Sequence, residues 1–229
     1  MTDTLPQHVG IIMDGNRRWA TAHGGAASDG HRAGFEALFA LLPVVRRLGI
    51  SHVSIYAFSA ENRLRSAEEV GGIMKLLRWV VAHKLPDLKA QGVRVRIIGS
   101  KEDLPRMERA ALERAERETA ACSNLTLGVC FNYGGQQEIV DAVKRIVTAD
   151  MDPRDITPEH FAQYLYEPDI PPIDLLVRTS GERRLSNFML WRAAYAELYF
   201  TDVLWPDFTE TDLQQALAAY AHRQRRFGV

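Results

Sequence analysis

The sequence predicts an α/β fold with one central, mostly parallel sheet of about six strands that is flanked by helices. The first observation behind this prediction is that apolar, β-rich runs alternate along the chain with longer segments of helical periodicity. The second is the length of 229 residues, which suits one large α/β domain or two small ones. We find no repeat, low-complexity segment or linker that would divide the chain, so residues 1–229 are assigned to one domain.

The first strand is predicted near residues 8–13, where the run from Val9 to Met13 is almost entirely apolar. Turn residues follow at positions 14–16, and the next four residues can open a helix. The other elements come from the same alternation of patterns: strands near residues 52–58, 93–98, 125–131 and 173–178, and helices near residues 30–48, 67–91, 103–121, 134–148 and 209–224.

Prolines and charged residues add detail to the predicted helices and connections. Pro43 and Pro86 fall inside helical patterns and are expected to kink or shorten the helices. The prolines between residues 153 and 172 indicate an irregular surface connection around a short helix. Arginines and glutamates at helical spacing make the helix near residues 103–121 a solvated, ion-paired one.

The composition argues against several classes of protein. With 28 basic and 29 acidic residues the net charge is −1, so no nucleic-acid partner is expected. Cys122 and Cys130 lack the spacing of a metal or redox motif, which favours buried thiols over a disulfide or a zinc site. No apolar run has membrane-spanning length, so we expect a cytoplasmic protein, and peripheral contact with a membrane stays open.

The common catalytic motifs are also missing from the sequence. It contains no glycine-rich phosphate loop, no dinucleotide-binding turn, no HExxH pair and no GxSxG nucleophile elbow. Kinase, dehydrogenase, zinc protease and serine hydrolase activities therefore lose their main support.

Polar residues stand where the predicted strands end. Parallel sheets bind ligands at the carboxyl ends of their strands, so one edge of the sheet should collect these side chains. The residues concerned are Asp14, Ser59, Asn132 and Arg178.

The turn after the first strand combines a carboxylate, a helix start and two arginines. Free N–H groups and the helix dipole attract an anion there, Arg18 can bind phosphate oxygens, and Asp14 can hold Mg²⁺ against the same oxygens. The alternative for this segment alone is that Asp14 simply caps a helix in an ordinary turn.

A second anion site is predicted after the fifth strand. The unbroken apolar strand ends in Arg178, and a glycine turn then delivers Arg184 and Ser186. Charge-assisted hydrogen bonds are each worth about 1.5–3 kcal/mol, so several of them can hold a diphosphate. With apolar residues nearby, the sequence therefore indicates two phosphorylated substrates with apolar bodies.

The motifs around these sites resemble those of the cis-prenyltransferase family, of the undecaprenyl diphosphate synthase type. The resemblance covers nearly the whole chain, from about residue 8 to Gly228, and rests on residues 8–20, 30–34, 56–65, 132–135, 178–206 and 225–228. It implies a Mg²⁺-dependent homodimer that adds isopentenyl diphosphate to an allylic diphosphate and forms a new Z double bond.

The resemblance also implies roles for individual residues. Asp14 would hold Mg²⁺ and help the allylic diphosphate to leave, and Glu197 would be a second acidic group at the metal. Asn62 would help to position the attacking substrate and to remove a proton. The residues that would bind the allylic diphosphate are Gly15, Asn16, Arg17, Arg18, Trp19 and His31. The substrate-binding neighbours of Asn62 would be Ser59, Arg63 and Arg65. Isopentenyl diphosphate would be bound by Arg178, Arg184 and Ser186 of one subunit and by Arg226 of the partner subunit.

Two of these residues have a structural alternative. His31 could be a helix-start histidine satisfied by the backbone, and Ser186 could cap a helix that begins at Asn187. The growing chain would need an apolar tunnel between a helix and the sheet, for which ordinary core packing is the alternative. The candidate tunnel residues are Ala57, Leu76, Leu77, Val80, Leu125 and Val129.

The chain departs from the family pattern around the substrate site. Ala27 stands where the family usually has an arginine that grips the allylic diphosphate, and Arg17, which replaces a frequent glycine, can supply some of that charge. Arg63 replaces a frequent tryptophan, and Ser66 a usual proline. Two alternatives therefore stay open: an irregular, head-to-middle coupling of two allylic diphosphates, and a non-catalytic subunit that stabilises another prenyltransferase.

Overall fold

The computed structural model describes residues 5–102 and 104–222. Its strands are β1 (His8–Ile12), β2 (His52–Ser59), β3 (Val93–Ile98), β4 (Leu125–Tyr133), β5 (Leu175–Arg178) and β6 (Glu197–Phe200). Its α-helices are α1 (Asn16–Ala22), α2 (Ala27–Arg47), α3 (Ala67–Ala90), α4 (Arg106–Thr119), α5 (Gly135–Thr148), α6 (Pro158–Ala162) and α7 (Glu210–Ala221). All strand pairs are parallel, in the order β3-β4-β2-β1-β5-β6. The predicted parallel sheet flanked by helices is confirmed.

The structure differs from the sequence-based prediction in one strand and in two helices. The strand β6 was not placed by the sequence, because its residues are only half-buried and it lies at the edge of the sheet. The helices α2 and α3 continue through Pro43 and Pro86 instead of being shortened. Each proline stands four residues before the end of its helix, so the missing N–H affects only the last turns.

The register of the sheet brings the ends of its central strands together. Ile12 pairs with Arg178 of β5, and on the other side of β1 the strand β2 runs on to Ser59, which pairs with Tyr133 of β4. The strand ends that precede Asp14 and contain Ser59, Asn132 and Arg178 therefore lie at one edge, as predicted from the sequence.

Apolar residues cover both faces of the sheet. Because side chains alternate along a strand, Val9 and Ile11 of β1 point into the core beneath α2 and α3, and Ile12 packs into a second cluster with Tyr133 and Phe188. Such two-sided burial is typical of a parallel sheet. Within the described residues, no helix is both long and apolar enough to cross a membrane. Cys130 is fully buried, Cys122 is only partly so, and neither forms a disulfide.

A buried ion pair joins α5 to the segment between β5 and β6. Arg192 donates to Glu138 at 2.8 Å, and its other N–H groups donate to the carbonyls of Tyr166, Glu167 and Ile170. Glu138 also accepts the hydroxyl of Tyr133 at 2.5 Å. Both charged side chains are at most 4% exposed, so each depends on the other for its stability in the interior.

His8 is fully buried at the start of β1, and this burial makes the stability of the fold depend on pH. Its Nδ1 donates to the carbonyl of Pro171 and its Nε2 accepts from the hydroxyl of Ser54, both at 2.8 Å. Burial, as the largest cause, lowers the pKa of His8 from 6.5 to about 4. Between pH 6.5 and about 4, the unfolded chain therefore binds a proton at this histidine that the folded chain does not bind. The free energy of unfolding consequently falls as the pH drops from 6.5 towards 4.

We expect this histidine to account for a loss of about 2 kcal/mol in unfolding free energy between pH 7 and pH 5. The variant His8→Gln keeps a donor and an acceptor but has no proton to gain, so its loss over the same range should be smaller by that amount. Urea unfolding at the two pH values measures the difference. His83→Gln, at an exposed position of α3, is the control, and an equal effect of the two substitutions would contradict the assignment.

Candidate active site

A cavity of about 600 Å³ opens at the carboxyl edge of the sheet. A second opening, of about 680 Å³, lies beside it and shares part of its wall. Both cavities are lined by Asp14, Asn16, His31 and Arg65. Of the other predicted site residues, Ser59, Asn62, Arg178, Arg184 and Ser186 line only the first cavity, and Gly15, Arg17 and Arg18 line only the second. The structure thus brings most of the predicted residues together in two adjoining groups.

Asp14 stands between these two groups. Its Oδ2 accepts from Arg178 at 2.8 Å, and its Oδ1 accepts the N–H of Gly15 at 2.8 Å. The N-cap of α1 is Gly15, with a φ of 107°, and no side chain caps this helix. Helix capping, the alternative for Asp14 in the sequence, is therefore wrong. The carbonyl of Asp14 accepts from Thr179 and from the N–H of Trp205, which fixes the backbone from which the carboxylate projects.

Arg178 is the most deeply placed cation of the first cavity, with a side chain that is 4% exposed. Besides the bond to Asp14, its guanidinium donates to the carbonyl of Arg184 at 2.5 Å and to the hydroxyl of Ser186 at 2.7 Å. Residues 186 and 187 have positive φ and form turns, so Ser186 does not cap a helix there. The tight loop after β5 therefore packs Ser186 against the guanidinium, in agreement with a joint role.

The second cavity is lined by Arg17 and Arg18 of α1 and by His31 of α2. Arg18 donates to the hydroxyl of Ser180 at 2.5 Å. His31 is the fifth residue of α2, and its buried Nε2 has no hydrogen-bond partner within the described residues but lies 3.8 Å from Glu69. Burial, followed by the nearby charge of Arg65, lowers the pKa of His31, so the ring is neutral at neutral pH. A neutral imidazole can donate one hydrogen bond and accept another.

Asn62 and Ser59 fix one another at the wall of the first cavity. Ser59 caps the 3₁₀ turn Ala60–Leu64: its hydroxyl accepts the N–H of Asn62 at 3.1 Å, and the side-chain carbonyl of Asn62 accepts the N–H of Ser59 at 3.2 Å. This reciprocal capping orients the Asn62 amide without help from a distant residue.

Some predicted site residues lie elsewhere. Arg63 does not line either cavity; its Nε donates to Asn132 at 2.7 Å. The indole of Trp19 donates to Asp207 at 2.7 Å and stacks on His23. Ala27 is the first residue of α2 and does not line them either. Arg226 lies outside the described residues.

Glu197 is not brought to Asp14 within one chain. It pairs with Leu175 at the amino end of β5, whereas Asp14 follows the carboxyl end of β1. Three residues of register at about 3.3 Å each separate the two levels, and Asp14 lies beyond the last pair. The predicted joint metal site of these two carboxylates is therefore wrong for a single chain. In the described residues no group of three or more histidine, cysteine or acidic side chains could hold a metal ion.

An apolar void of about 60 Å³ lies between α2, α3 and the sheet. It shares Phe35, Ala57 and Ile73 with the first cavity, so the two adjoin. Four of the predicted tunnel residues line it, namely Ala57, Leu77, Val80 and Val129. Leu76 and Leu125 do not: Leu125 is buried in the core at the start of β4, and Leu76 is half-buried on α3.

Glu69 is a residue that the sequence analysis missed. In the first turn of α3, it accepts from Arg65 at 2.8 Å and lies 3.8 Å from both Arg17 and His31. The spacing of four residues between Arg65 and Glu69 was the available signal, but this spacing is common on solvated helices and points to no particular site.

Comparison with known proteins gives a consistent result. A family model described as putative undecaprenyl diphosphate synthase matches residues 12–228. An isoprenyl transferase of Heliobacterium mobile is 46% identical over 228 residues, which are 98% of this chain and 88% of the relative.

Two solved structures share the fold over nearly their whole length. Lavandulyl diphosphate synthase from Lavandula x intermedia, in complex with dimethylallyl diphosphate, superposes with a TM-score of 0.93 at 35% identity, over 98% of this chain and 99% of the other. A probable undecaprenyl diphosphate synthase from Campylobacter jejuni has a TM-score of 0.84 at 30% identity, over 99% and 100% of the two chains. The resemblance seen in the motifs is confirmed, and the chain belongs to the undecaprenyl diphosphate synthase family of prenyltransferases.

Proposed function

We propose that the protein condenses isopentenyl diphosphate with an allylic prenyl diphosphate, releases diphosphate and forms a Z-configured product. The observation that carries this proposal is the division of the site into two adjoining cationic cavities with Asp14 between them. Two cavities match a reaction of two diphosphates, and the apolar lining of the void that adjoins the first is the kind of surface that contacts the prenyl body of a substrate.

The second cavity suits the allylic diphosphate. Arg17, Arg18 and the N-terminus of α1 offer cations and free N–H groups, which is the chemistry that binds phosphate oxygens. His31 lines the same cavity, and its buried Nε2 lies 3.8 Å from Glu69. These groups would stabilise the negative charge that develops on the diphosphate as its bond to the prenyl carbon breaks.

The first cavity suits isopentenyl diphosphate. Arg178 and Ser186 are already joined at 2.7 Å, and Arg184 lines the same wall, so two guanidinium groups and a hydroxyl converge on one anion. Asn62 and Ser59 line the same cavity, where they would hold the isopentenyl chain while it attacks and then loses a proton.

The donor set fits a Mg²⁺ ion that arrives with a diphosphate. Mg²⁺ is commonly bound by one or two carboxylates together with substrate phosphates, and Asp14 supplies one carboxylate between the two cavities. When bound, the metal would neutralise charge on the departing diphosphate. A role of Glu197 at the metal stays a prediction, and it requires that this residue comes from a second chain.

We propose that the protein is a homodimer. Val140, Val143 and Val147 form an exposed apolar stripe along α5, at the spacing of one helix face. A stripe of this kind on a surface helix indicates an interface with another protein. In a symmetric dimer, the stripes of the two copies would pack against each other.

Light scattering should therefore give a mass of twice 25.8 kDa for the wild-type chain. Val143→Glu places a charge in the middle of the stripe and should shift the mass towards the monomer. Met107→Glu, at an exposed apolar position of α4, introduces the same charge elsewhere and serves as the control. A monomeric wild type, or a dimer unaffected by Val143→Glu, would show that this face is not the interface.

An enzymatic assay tests the reaction. Purified protein is incubated with Mg²⁺, isopentenyl diphosphate and, in turn, dimethylallyl, geranyl and farnesyl diphosphate, and the products are identified by mass and chromatography. We expect a product one or more five-carbon units longer than the allylic substrate, with Z geometry in each added unit. No product from any pair would contradict the proposal and favour a non-catalytic partner subunit.

A second candidate is irregular coupling of two allylic diphosphates. It is favoured by the similarity to lavandulyl diphosphate synthase, whose structure contains dimethylallyl diphosphate, and by Ala27 at the place of the usual arginine. The same assay separates the two reactions, because irregular coupling forms a product from dimethylallyl diphosphate alone.

A further inference from the structure

Arg65 lines both cavities and stands at the end of the 3₁₀ turn, two residues before the start of α3. Its side chain is held by Glu69, whose carboxylate accepts from Nη1 at 2.8 Å. An arginine side chain has many rotamers, and one that is fixed beforehand loses less entropy when it binds an anion. The direction of Arg65 therefore depends on the carboxylate behind it.

The same carboxylate faces two further groups of the second cavity. Arg17 of α1 and His31 of α2 each lie 3.8 Å from Glu69, so a single side chain of α3 gathers polar groups from three elements. Glu69 itself is 15% exposed and does not line either cavity, whereas the three groups around it line the second one. The carboxylate thus lies behind the anion-binding surface and not in the place of the anion.

From this geometry we infer that Glu69 is a positioning residue for the allylic diphosphate: it aims Arg65, together with Arg17 and His31, at the second cavity. The inference rests on the proposed function of that cavity. It also assigns Arg65 to the allylic side, although the same side chain reaches the first cavity. The cluster held by Glu69 provides positive charge near the beginning of α2, where Ala27 offers none.

The direction in which one substitution changes the affinity for an anion tests this role. Removal of a negative charge close to an anion site should, by Coulomb attraction alone, strengthen the binding of an anion. A positioning role predicts the opposite, because Arg65 and its neighbours lose their common support. Glu69→Gln changes the charge and leaves the size of the side chain nearly the same, so the fold should be preserved.

The measurement is the Kd of inorganic diphosphate in the presence of Mg²⁺, by calorimetry on the full chain. We expect Glu69→Gln to weaken binding about tenfold. The control is Glu68→Gln, an exposed neighbour in the same helical turn that carries the same charge change; it should alter Kd by less than about twofold. Equal or tighter binding by Glu69→Gln overturns the inference.

A double-mutant cycle with Arg65→Gln shows whether Glu69 acts through Arg65. If it does, Glu69→Gln should weaken binding much less in the Arg65→Gln background than in the wild type. Full additivity would contradict that pathway. In the prenyl transfer assay Glu69→Gln should raise KM for the allylic diphosphate and change kcat little. The binding experiment needs no turnover, so a failure of the proposed reaction and a failure of this inference give different results.

Discussion

Asp14→Ala is expected to lower kcat of prenyl transfer by about a thousandfold or more. Asp14 is the carboxylate shared by both cavities, and it is the group that would hold Mg²⁺ beside the departing diphosphate. Removal of this side chain would take away the proposed metal ligand, and it leaves Arg178 without its acidic partner. The measurement is steady-state turnover at saturating substrates over a series of Mg²⁺ concentrations.

A second variant separates catalysis from stability. Asp14→Ala leaves a buried guanidinium unpaired, so it is also expected to reduce the melting temperature. Asp14→Asn keeps an oxygen that can accept from Arg178, and it should retain the fold while turnover still falls steeply. If Asp14→Asn keeps near-normal turnover at low Mg²⁺, Asp14 is not the metal carboxylate.

Arg192→Met is expected to destabilise the fold by about 3–5 kcal/mol, since it leaves the charge of Glu138 buried without its partner. The same change removes the donors for three backbone carbonyls in the segment before β5. Urea unfolding, followed by circular dichroism, measures the loss. Because Arg192 lines neither cavity, any loss of activity should follow the loss of folded protein.

Two controls show that burial causes this effect. Arg114→Met breaks an exposed ion pair with Glu118 on α4 and should cost less than about 0.5 kcal/mol. The double variant Arg192→Met with Glu138→Gln removes both charges, so it should be more stable than Arg192→Met alone. A double variant that is less stable than the single one would show that the charge of Glu138 is not the source of the loss.

The parts of the structure that follow from local pattern could be predicted from the sequence. The apolar strand before Asp14 and the unbroken apolar strand before Arg178 have no competing pattern, and parallel strands bring their carboxyl ends to one edge. The grouping of Asp14, Arg178 and Ser186 follows from this rule and from a short loop. The prediction of a shared site was therefore independent of side-chain detail.

Other features depend on contacts that no local pattern reveals. Glu138 and Arg192 are 54 residues apart, and on a sequence both resemble surface charges. Arg63 has the same residue type and neighbourhood as Arg65, but a turn of the 3₁₀ segment directs it to Asn132 instead of the cavities. The resemblance to the family implies a metal role for Glu197, and only the register of β6 shows that this residue lies at the opposite edge from Asp14.

The pairing of β1 with β5 has a consequence for how the protein folds. Asp14 and Arg178 are 164 residues apart, so the chain must close a very long loop before they meet. Contacts of such long range form slowly, and a parallel strand cannot be added by a local hairpin. During synthesis, residues 5–102 are made before β5, so the site is still absent when these residues have left the ribosome. The ability to bind two substrates therefore arises late, when β5 docks beside β1, and partly folded chains should be inactive instead of partly active.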